Sequence, residues 1–249
     1  MAYVIALAGK GGTGKTTIAG LIVRLLGESK RGSVLAVDAD PNSNLGEVLG
    51  VTPQETIGEI LDFIGAHPDK IPAGMTKDRF IEYKVQTAVQ EAKGFDLLTM
   101  GKPEGPGCYC YVNNVLRSVV ERLMQEYDYV VIDNEAGLEH LSRRTTRRAD
   151  CLLVVAQPSA VSLKAAQRIK QLVGQLQIET RQSVLLINAS RGRVDPAQVR
   201  ETGLLLAGKL AFDQTLARLS ARGSSLTGLS RRSKMMATLE KILKKTIDH

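Results

Sequence analysis

Several features that would assign a protein class are absent from this sequence of 249 residues. It has no low-complexity stretch, no internal repeat and no long run of Pro, Gly or Ser that would indicate a linker between domains. It shows neither a charged leader with a cleavage site nor a long apolar run, so we expect no signal peptide and no membrane span. Three cysteines are too few for a disulfide framework in a chain of this length. We therefore expect one α/β domain over residues 1–249 that works in the reducing cytoplasm.

The charge of the chain restricts its partners only weakly. Thirty-three basic and 26 acidic residues give a formal net charge of +7. This excess permits an acidic protein, a nucleic acid or an anionic membrane as partner and selects none of them. Residues 55–93 carry many charges, and we expect them to be helical, solvated and without a chemical role.

The C-terminal residues 233–247 combine an apolar stripe with several lysines. A helix of this kind either lies on a membrane surface or packs on a sheet while its lysines extend into solvent. We expect a last helix that packs on the sheet. The stripe consists of Met235, Met236, Leu239, Ile242 and Leu243.

The most informative segment is the glycine-rich run of residues 9–16. It follows an apolar run at residues 3–8 and precedes residues 18–26, whose apolar side chains recur at helical spacing. A strand, a glycine-rich turn and a helix in this order form the context of a phosphate-binding loop. The glycines let backbone N–H groups converge on an anion, and the helix N-terminus adds its positive end. The segment therefore predicts a nucleotide-binding protein.

The side chains of this loop have separate predicted roles. Lys15 is expected to reach the β- and γ-phosphates, and the Thr16 hydroxyl to hold Mg²⁺. Lys10 follows the first glycine, where its side chain points away from phosphates bound by its own loop. It is either a solvated lysine or a cation that is supplied to a second subunit, as an arginine finger is. The predicted nucleotide-binding residues here are Gly11, Gly12, Thr13, Gly14, Lys15, Thr16 and Thr17.

The run from Lys10 to Thr16 resembles the deviant Walker A motif of the MinD/ParA/nitrogenase-iron-protein class. Proteins of this class are dimeric ATPases. The resemblance implies a doubly wound, mostly parallel sheet flanked by helices, a homodimer, and ATP as the nucleotide. It also implies that Lys10 crosses to the nucleotide of the partner subunit and takes part in catalysis.

Two aspartates lie at the end of the apolar run 33–38. Asp38 closes the run, and Asp40 precedes Pro41 in the following loop. Because ligands of doubly wound sheets bind at the carboxyl ends of the strands, this loop is expected to face the phosphates. It resembles switch I of the class, which implies that Asp40 orients the attacking water, with Asp38 in the same polar network. Without the phosphate-binding loop, Asp40 would be interpreted as a turn residue.

Two further strand ends carry predicted site residues. Residues 129–133 end in Asp133, as a Walker B element does, and Asp133 is expected to hold Mg²⁺ through its water shell. The next residues stand in the place of switch II, where Gly137 is able to donate its N–H to a γ-phosphate. Residues 183–188 end in Asn188, which matches the base-contacting asparagine of the class. A guanine-binding protein carries an acid a few residues later, whereas this chain has Arg191, which favours adenine.

Cys108 and Cys110 end a loop of turn residues and precede a helical pattern at residues 112–124. If both are extended, their sulfurs face the same side, and a nearby helix N-terminus favours the thiolate. Two thiolates do not fill a four-coordinate site for a soft metal, but two pairs apposed across a dimer axis do. Two structural cysteines or a redox pair are the alternatives. Cys151 is expected to be a core cysteine.

The cysteine pair and the stretch 133–141, which contains Glu135, Glu139 and His140, narrow the resemblance. They are similar to the carbon monoxide dehydrogenase maturation ATPases of the CooC type, which include the acetyl-CoA synthase maturation factor AcsF. This resemblance covers nearly the whole chain. It implies a homodimer that binds nickel through Cys108 and Cys110 and uses ATP turnover to assemble a nickel enzyme. The implied client is an apo carbon monoxide dehydrogenase or acetyl-CoA synthase; zinc also suits four thiolates, and no nucleic acid is expected.

Three other functions of the same class fit the sequence less well. A nitrogenase-iron-protein-like reductase needs cluster cysteines on two elements, but no cysteine follows Asp133 before Cys151. A ParA-type DNA-partitioning ATPase fits the basic charge but gives Cys108 and Cys110 no role. A MinD-type membrane positioner requires the C-terminal apolar stripe to be exposed.

Overall fold

The computed structural model describes residues 2–102, 110–135 and 148–247, in which strands and helices alternate. The strands are β1 (Tyr3–Ala8), β2 (Val34–Asp38), β3 (Gln90–Ala92), β4 (Phe95–Thr99), β5 (Tyr129–Asp133), β6 (Arg148–Ala156), β7 (Glu179–Ser190) and β8 (Leu205–Ala211). The helices are α1 (Lys15–Ser29), α2 (Leu45–Leu49), α3 (Ile57–Ala66), α4 (Lys77–Thr87), α5 (Cys110–Met124), α6 (Ala160–Gln175), α7 (Pro196–Glu201), α8 (Gln214–Ala221) and α9 (Lys234–Ile247).

The strands of the described residues form one eight-stranded sheet in the order β3-β4-β2-β5-β1-β6-β7-β8. Every neighbouring pair is parallel except β3 and β4, which pair in antiparallel fashion. β1 lies between β5 and β6, with Ile5 opposite Val131 on one side and Cys151 on the other. The expected doubly wound, mostly parallel α/β fold is therefore confirmed.

The sheet separates two apolar cores. Along β1, Val4 and Ala6 face a core that also contains side chains of α3 to α7, whereas Ile5 and Leu7 face a core with side chains of α1, α2, α8 and α9. Because successive side chains of a strand point to opposite faces, a strand between two helical layers needs apolar residues at every position. This requirement explains the unbroken apolar runs of β1, β2, β5 and β6. Cys151 belongs to the second core, as expected, and burial raises the pKa of its thiol to about 12.

Residues 55–93 differ from the expectation of a solvated helical segment. α3 begins with a capping box, in which Thr56 and Glu59 exchange hydrogen bonds between side chain and backbone. Its apolar residues at helical spacing then enter the first core, and the segment ends in the edge strand β3. α3 and α4 confirm the helical part of the prediction. The solvated part was wrong, because the charged residues of α4 and β3 obscured the apolar face of α3, which consists of Ile57, Ile60, Leu61 and Ile64.

The apolar stripe of α9 is buried against β8 and α1. Met236 and Leu239 have no exposed surface, and Gly208 of β8 leaves the space that Ile242 occupies. At the end of the helix, the Thr246 carbonyl accepts hydrogen bonds from the Tyr3 hydroxyl and from Gln182. The prediction of a last helix that packs on the sheet is therefore confirmed, and the stripe is not available to a membrane. Within the described ranges no helix is both long and apolar enough to span a bilayer.

Charge is distributed unevenly along the chain. Residues 1–150 contain 17 basic and 20 acidic side chains, whereas residues 151–249 contain 16 basic and six acidic ones. The second part includes most of β6, β7 and β8 and the helices α6 to α9. The net positive charge of the protein therefore comes from the part of the chain that contains β7, β8 and most of β6, which form one half of the sheet.

The packing of α9 predicts that substitutions on its buried face lower the stability of the protein much more than substitutions on its exposed face. Leu239→Ala should lower the free energy of unfolding by about 2–5 kcal/mol, because it leaves a cavity in a fully buried position. Lys241→Ala on the exposed face of the same helix should change it by less than about 0.5 kcal/mol. Urea unfolding followed by circular dichroism measures both values, and similar effects of the two substitutions would contradict the packing.

Candidate nucleotide-binding site

The glycine-rich loop connects the carboxyl end of β1 to the first turn of α1. The Lys10 carbonyl accepts hydrogen bonds from the Thr13 hydroxyl (2.8 Å) and the Thr13 N–H (3.3 Å). From the neighbouring end of β6, the Gln157 side chain donates to the Gly12 carbonyl at 3.2 Å. These bonds bury Thr13 and leave Lys10 and Gly12 on the surface. Lys10 therefore has the exposure that a residue acting on a second subunit requires.

Two glycines are required by close approaches within this loop. Gly14 has φ 89° and begins α1, and a Cβ there would lie 2.5 Å from Asn188 Nδ2. A Cβ on Gly9 would collide with the Val155 carbonyl oxygen. Any larger side chain at either position would displace the loop from the strand ends. The fold therefore specifies glycine at these positions independently of any nucleotide.

An open cavity of about 570 Å³ lies over the loop and the N-terminus of α1. Lys15 lines this cavity and is only 7% exposed, so most of its side chain is buried. Backbone N–H groups at a helix N-terminus and a nearby lysine favour a phosphate group. Predicted residues that line the cavity are Gly11, Gly12, Gly14, Lys15, Thr16, Thr17 and Asp40.

Asp133 provides buried oxygen atoms next to this loop. Neither of its carboxylate oxygens has a hydrogen-bond partner within the described residues. Burial raises its pKa to about 6, while the nearby Thr16 hydroxyl and Lys15 ammonium oppose this rise. Mg²⁺ prefers oxygen ligands and retains several of its waters. Acceptor oxygens without protein donors therefore fit a hydrated Mg²⁺, the ion for which the sequence predicts Thr16 and Asp133 as holding residues.

Asp38 and Asp40 fix the loop after β2 in different ways. Asp38 is fully buried and accepts hydrogen bonds from the N–H groups of Leu45 (2.8 Å) and Asp40 (3.2 Å). Burial raises its pKa to about 7, and the adjacent Asp133 carboxylate acts in the same direction. Asp40 Oδ1 accepts from the N–H of Asn42 (2.9 Å) and its side-chain amide (2.8 Å). Asp40 is thus both a turn residue and a cavity residue.

Asn188 holds the loop from the side of β7. Its Nδ2 donates to the Thr13 carbonyl at 2.9 Å, and its Oδ1 accepts from the Ala189 N–H at 2.8 Å. These bonds give Asn188 a structural task in addition to its predicted contact with the base. Nearby, the Arg191 guanidinium stacks on the Phe212 ring at 3.8 Å, beside a second open cavity.

The structure brings only part of the predicted residues together. Cys108, Gly137 and His140 lie outside the described residues. α5 begins at Cys110, so this cysteine lies in the first turn of a helix, whereas sulfurs that face the same side were expected only if both cysteines were extended. Within the described ranges, no group of three or more His, Cys, Asp or Glu side chains is arranged to hold a metal ion.

Sequence reasoning assigned no role to three residues at this site. Gln157 contacts the loop, and Glu47 and Glu135 line the cavity. Glu135 is the second residue after β5 and Gln157 the first after β6, at the edge of the sheet where ligands bind, and this position was an available signal. Glu47 lies on the short helix α2, for which the sequence offered no comparable signal.

The chain matches known proteins along most of its length. A family model described as an AAA domain matches residues 2–186. An uncharacterized ATP-binding protein of Methanocaldococcus jannaschii is 40% identical and covers 98% of both chains. The carbon monoxide dehydrogenase accessory protein CooC of Rhodospirillum rubrum is 32% identical over 91% of this chain and 90% of its own. The septum site-determining protein MinD of Pyrococcus horikoshii, solved with Mg-ADP, superimposes with a TM-score of 0.72 at 21% identity, covering 98% and 96% of the chains.

The buried Asp38 predicts a characteristic pH dependence of stability. Its pKa is raised from 3.8 to about 7 in the folded protein, so the folded state holds the proton more tightly. The resulting stabilisation is complete below about pH 4 and is lost as the pH rises through about 7. Relative to Asp38→Asn, the wild type should lose on the order of 4 kcal/mol of unfolding free energy over this range. Urea unfolding at several pH values without nucleotide or Mg²⁺ tests this, and parallel curves for the two proteins would contradict it.

Proposed function

The chain belongs to the AAA domain family and is a homologue of the MinD/ParA-like P-loop ATPases, and from this premise we propose that it is an ATP-hydrolysing, nickel-binding maturation factor. It assists nickel insertion into carbon monoxide dehydrogenase or acetyl-CoA synthase in the cytoplasm and acts as one P-loop ATPase domain. The observation that carries this proposal is the 32% identity to CooC along 91% of this chain. The present sequence also contains the cysteine pair Cys108 and Cys110.

The proposed ATPase reaction uses the residues around the cavity. Lys15 and the backbone of the loop bind the β- and γ-phosphates, and Asn188 lies on the side of the base. Bound Mg²⁺ neutralises phosphate charge, and Thr16 and Asp133 hold it there. Asp40 orients the attacking water, and the exposed Lys10 enters the cavity of the partner subunit to stabilise charge in the transition state.

Nickel is the cargo in this proposal. Cys108 and Cys110 of both subunits hold one ion with four thiolates, a ligand set that also binds zinc. Cys110 is the first residue of α5. Because thiolates are the ligands, metal binding at this pair is coupled to proton release.

A second candidate is a ParA/MinD-type partitioning or positioning ATPase. The basic half of the chain supports contact with DNA or an anionic membrane. The buried stripe of α9 counts against the membrane form of this function, because the helix has no apolar face left to insert. Neither form uses Cys108 and Cys110, so bound metal distinguishes the two candidates.

The two loop lysines should have different effects on ATP turnover. Lys15→Ala should abolish nucleotide binding, because it removes the buried cation beneath the phosphates. Lys10→Ala should leave binding largely intact and lower kcat by about 10³-fold, as loss of an arginine finger does. Isothermal titration with ADP and a phosphate-release assay measure the two properties. Unchanged ATPase activity of Lys15→Ala would remove the ATPase proposal.

The nickel site should be shared between two subunits. Titration of the purified protein with Ni²⁺, followed by thiolate-to-metal absorption, should reach a plateau at one ion per dimer. Cys108→Ser and Cys110→Ser should each lose tight binding, whereas Cys151→Ser in the core serves as the control that retains it. A plateau at one ion per subunit, or full binding by the double serine variant, would contradict the shared site.

A further inference from the structure

Glu135 is held at the rim of the nucleotide cavity by its buried neighbour. Asn134 is 1% exposed, and its Nδ2 donates to the Leu7 carbonyl at 2.8 Å, which joins the ends of β5 and β1. Asp133, the residue before it, is equally buried. The chain therefore leaves the core at Glu135, whose side chain lines the cavity together with Lys15, Thr16 and Asp40.

Three carboxylates line the cavity. Asp40 lies on the loop after β2, Glu47 lies on α2, and Glu135 lies two residues after Asp133, at the end of β5 where ligands of such sheets bind. An ionised carboxylate only accepts hydrogen bonds. Next to an anionic phosphate, such a group needs a donor between itself and the phosphate, because direct contact would be repulsive. A water molecule is a donor of the right size.

An attacking water needs two such acceptors to be fully oriented. When its lone pair points at phosphorus, both of its O–H groups point away and require acceptors. Asp40 offers one oxygen, since its Oδ1 already accepts two hydrogen bonds from Asn42. A second acceptor on a different element would fix the remaining O–H group. Glu135 lines the cavity from the end of β5 and provides such a carboxylate.

We propose that Glu135 is a second water-positioning residue of the ATPase reaction, acting with Asp40 on the same water molecule. This inference rests on the proposed ATP hydrolysis. The water oxygen forms a bond to the γ-phosphorus, and the bond from phosphorus to the bridging oxygen breaks with its electron pair left on ADP. One water proton moves to a γ-phosphate oxygen, which gives dihydrogen phosphate. Glu135 accepts a hydrogen bond from this water and takes no proton from it.

Steady-state ATPase kinetics of Glu135→Gln test this role. The amide keeps the size of the side chain but replaces one acceptor oxygen with a donor. We expect kcat to fall about tenfold to hundredfold, as misorientation of a reactant does, while KM for ATP and the dissociation constant for ADP change less than threefold. Glu126→Gln is the matched control, since Glu126 is exposed and lies before the opposite end of β5. It should retain the wild-type kcat.

Three results would overturn the proposal. The first is a kcat of Glu135→Gln within twofold of the wild-type value. The second is a loss of ADP affinity as large as the loss of kcat, which would assign Glu135 to binding or to local structure. The third is recovery of kcat at saturating Mg²⁺, which would place Glu135 on the metal. Absence of ATPase activity in the wild-type protein would instead reject the proposed function, and this inference with it.

Discussion

The whole site depends on how closely the glycine-rich loop approaches two strands that lie on the same side of β1. Gly9 lies against the Val155 carbonyl of β6, and Gly14 lies against the Asn188 amide of β7, the strand beyond β6. Three strands therefore determine the path of six residues, and hydrogen bonds from Asn188 and Gln157 complete that fixation. A phosphate-binding loop that is fixed before binding loses little conformational entropy when the ligand arrives.

The second constraint is the concentration of buried carboxylates at the ends of β2 and β5. Asp38 and Asp133 are directly opposite each other in the parallel pairing of these strands, and both are buried. Their pKa values are raised to about 7 and about 6, so the apo protein accommodates negative charge poorly there. Folded proteins commonly retain such unfavourable groups at functional sites. Here they create a place where a cation and its hydration shell are stabilising.

The sequence was informative where a pattern is local. The order of strand, glycine-rich turn and helix predicted the loop correctly, and the apolar runs 3–8, 33–38 and 129–133 each contain a strand of the sheet. The contact of Gln157 with the loop was not predictable in this way. It depends on β6 lying beside β1, although Gln157 and Gly12 are 145 residues apart in the sequence. The same applies to the bond from Asn188 to Thr13. The burial of residues in segment 55–93 was missed for another reason, since the charged residues of α4 and β3 outnumber the four large buried apolar residues of α3.

The uneven distribution of charge along the sheet makes the molecule an electric dipole. The β8 half carries the positive end, while the first 150 residues carry a small negative excess. In the field of an anionic surface such a molecule experiences a torque, and it approaches with its positive half in front. This orientation acts over roughly one Debye length, about 8 Å at physiological ionic strength. The rate of productive encounters with an acidic protein therefore depends on salt even where the final contact is apolar.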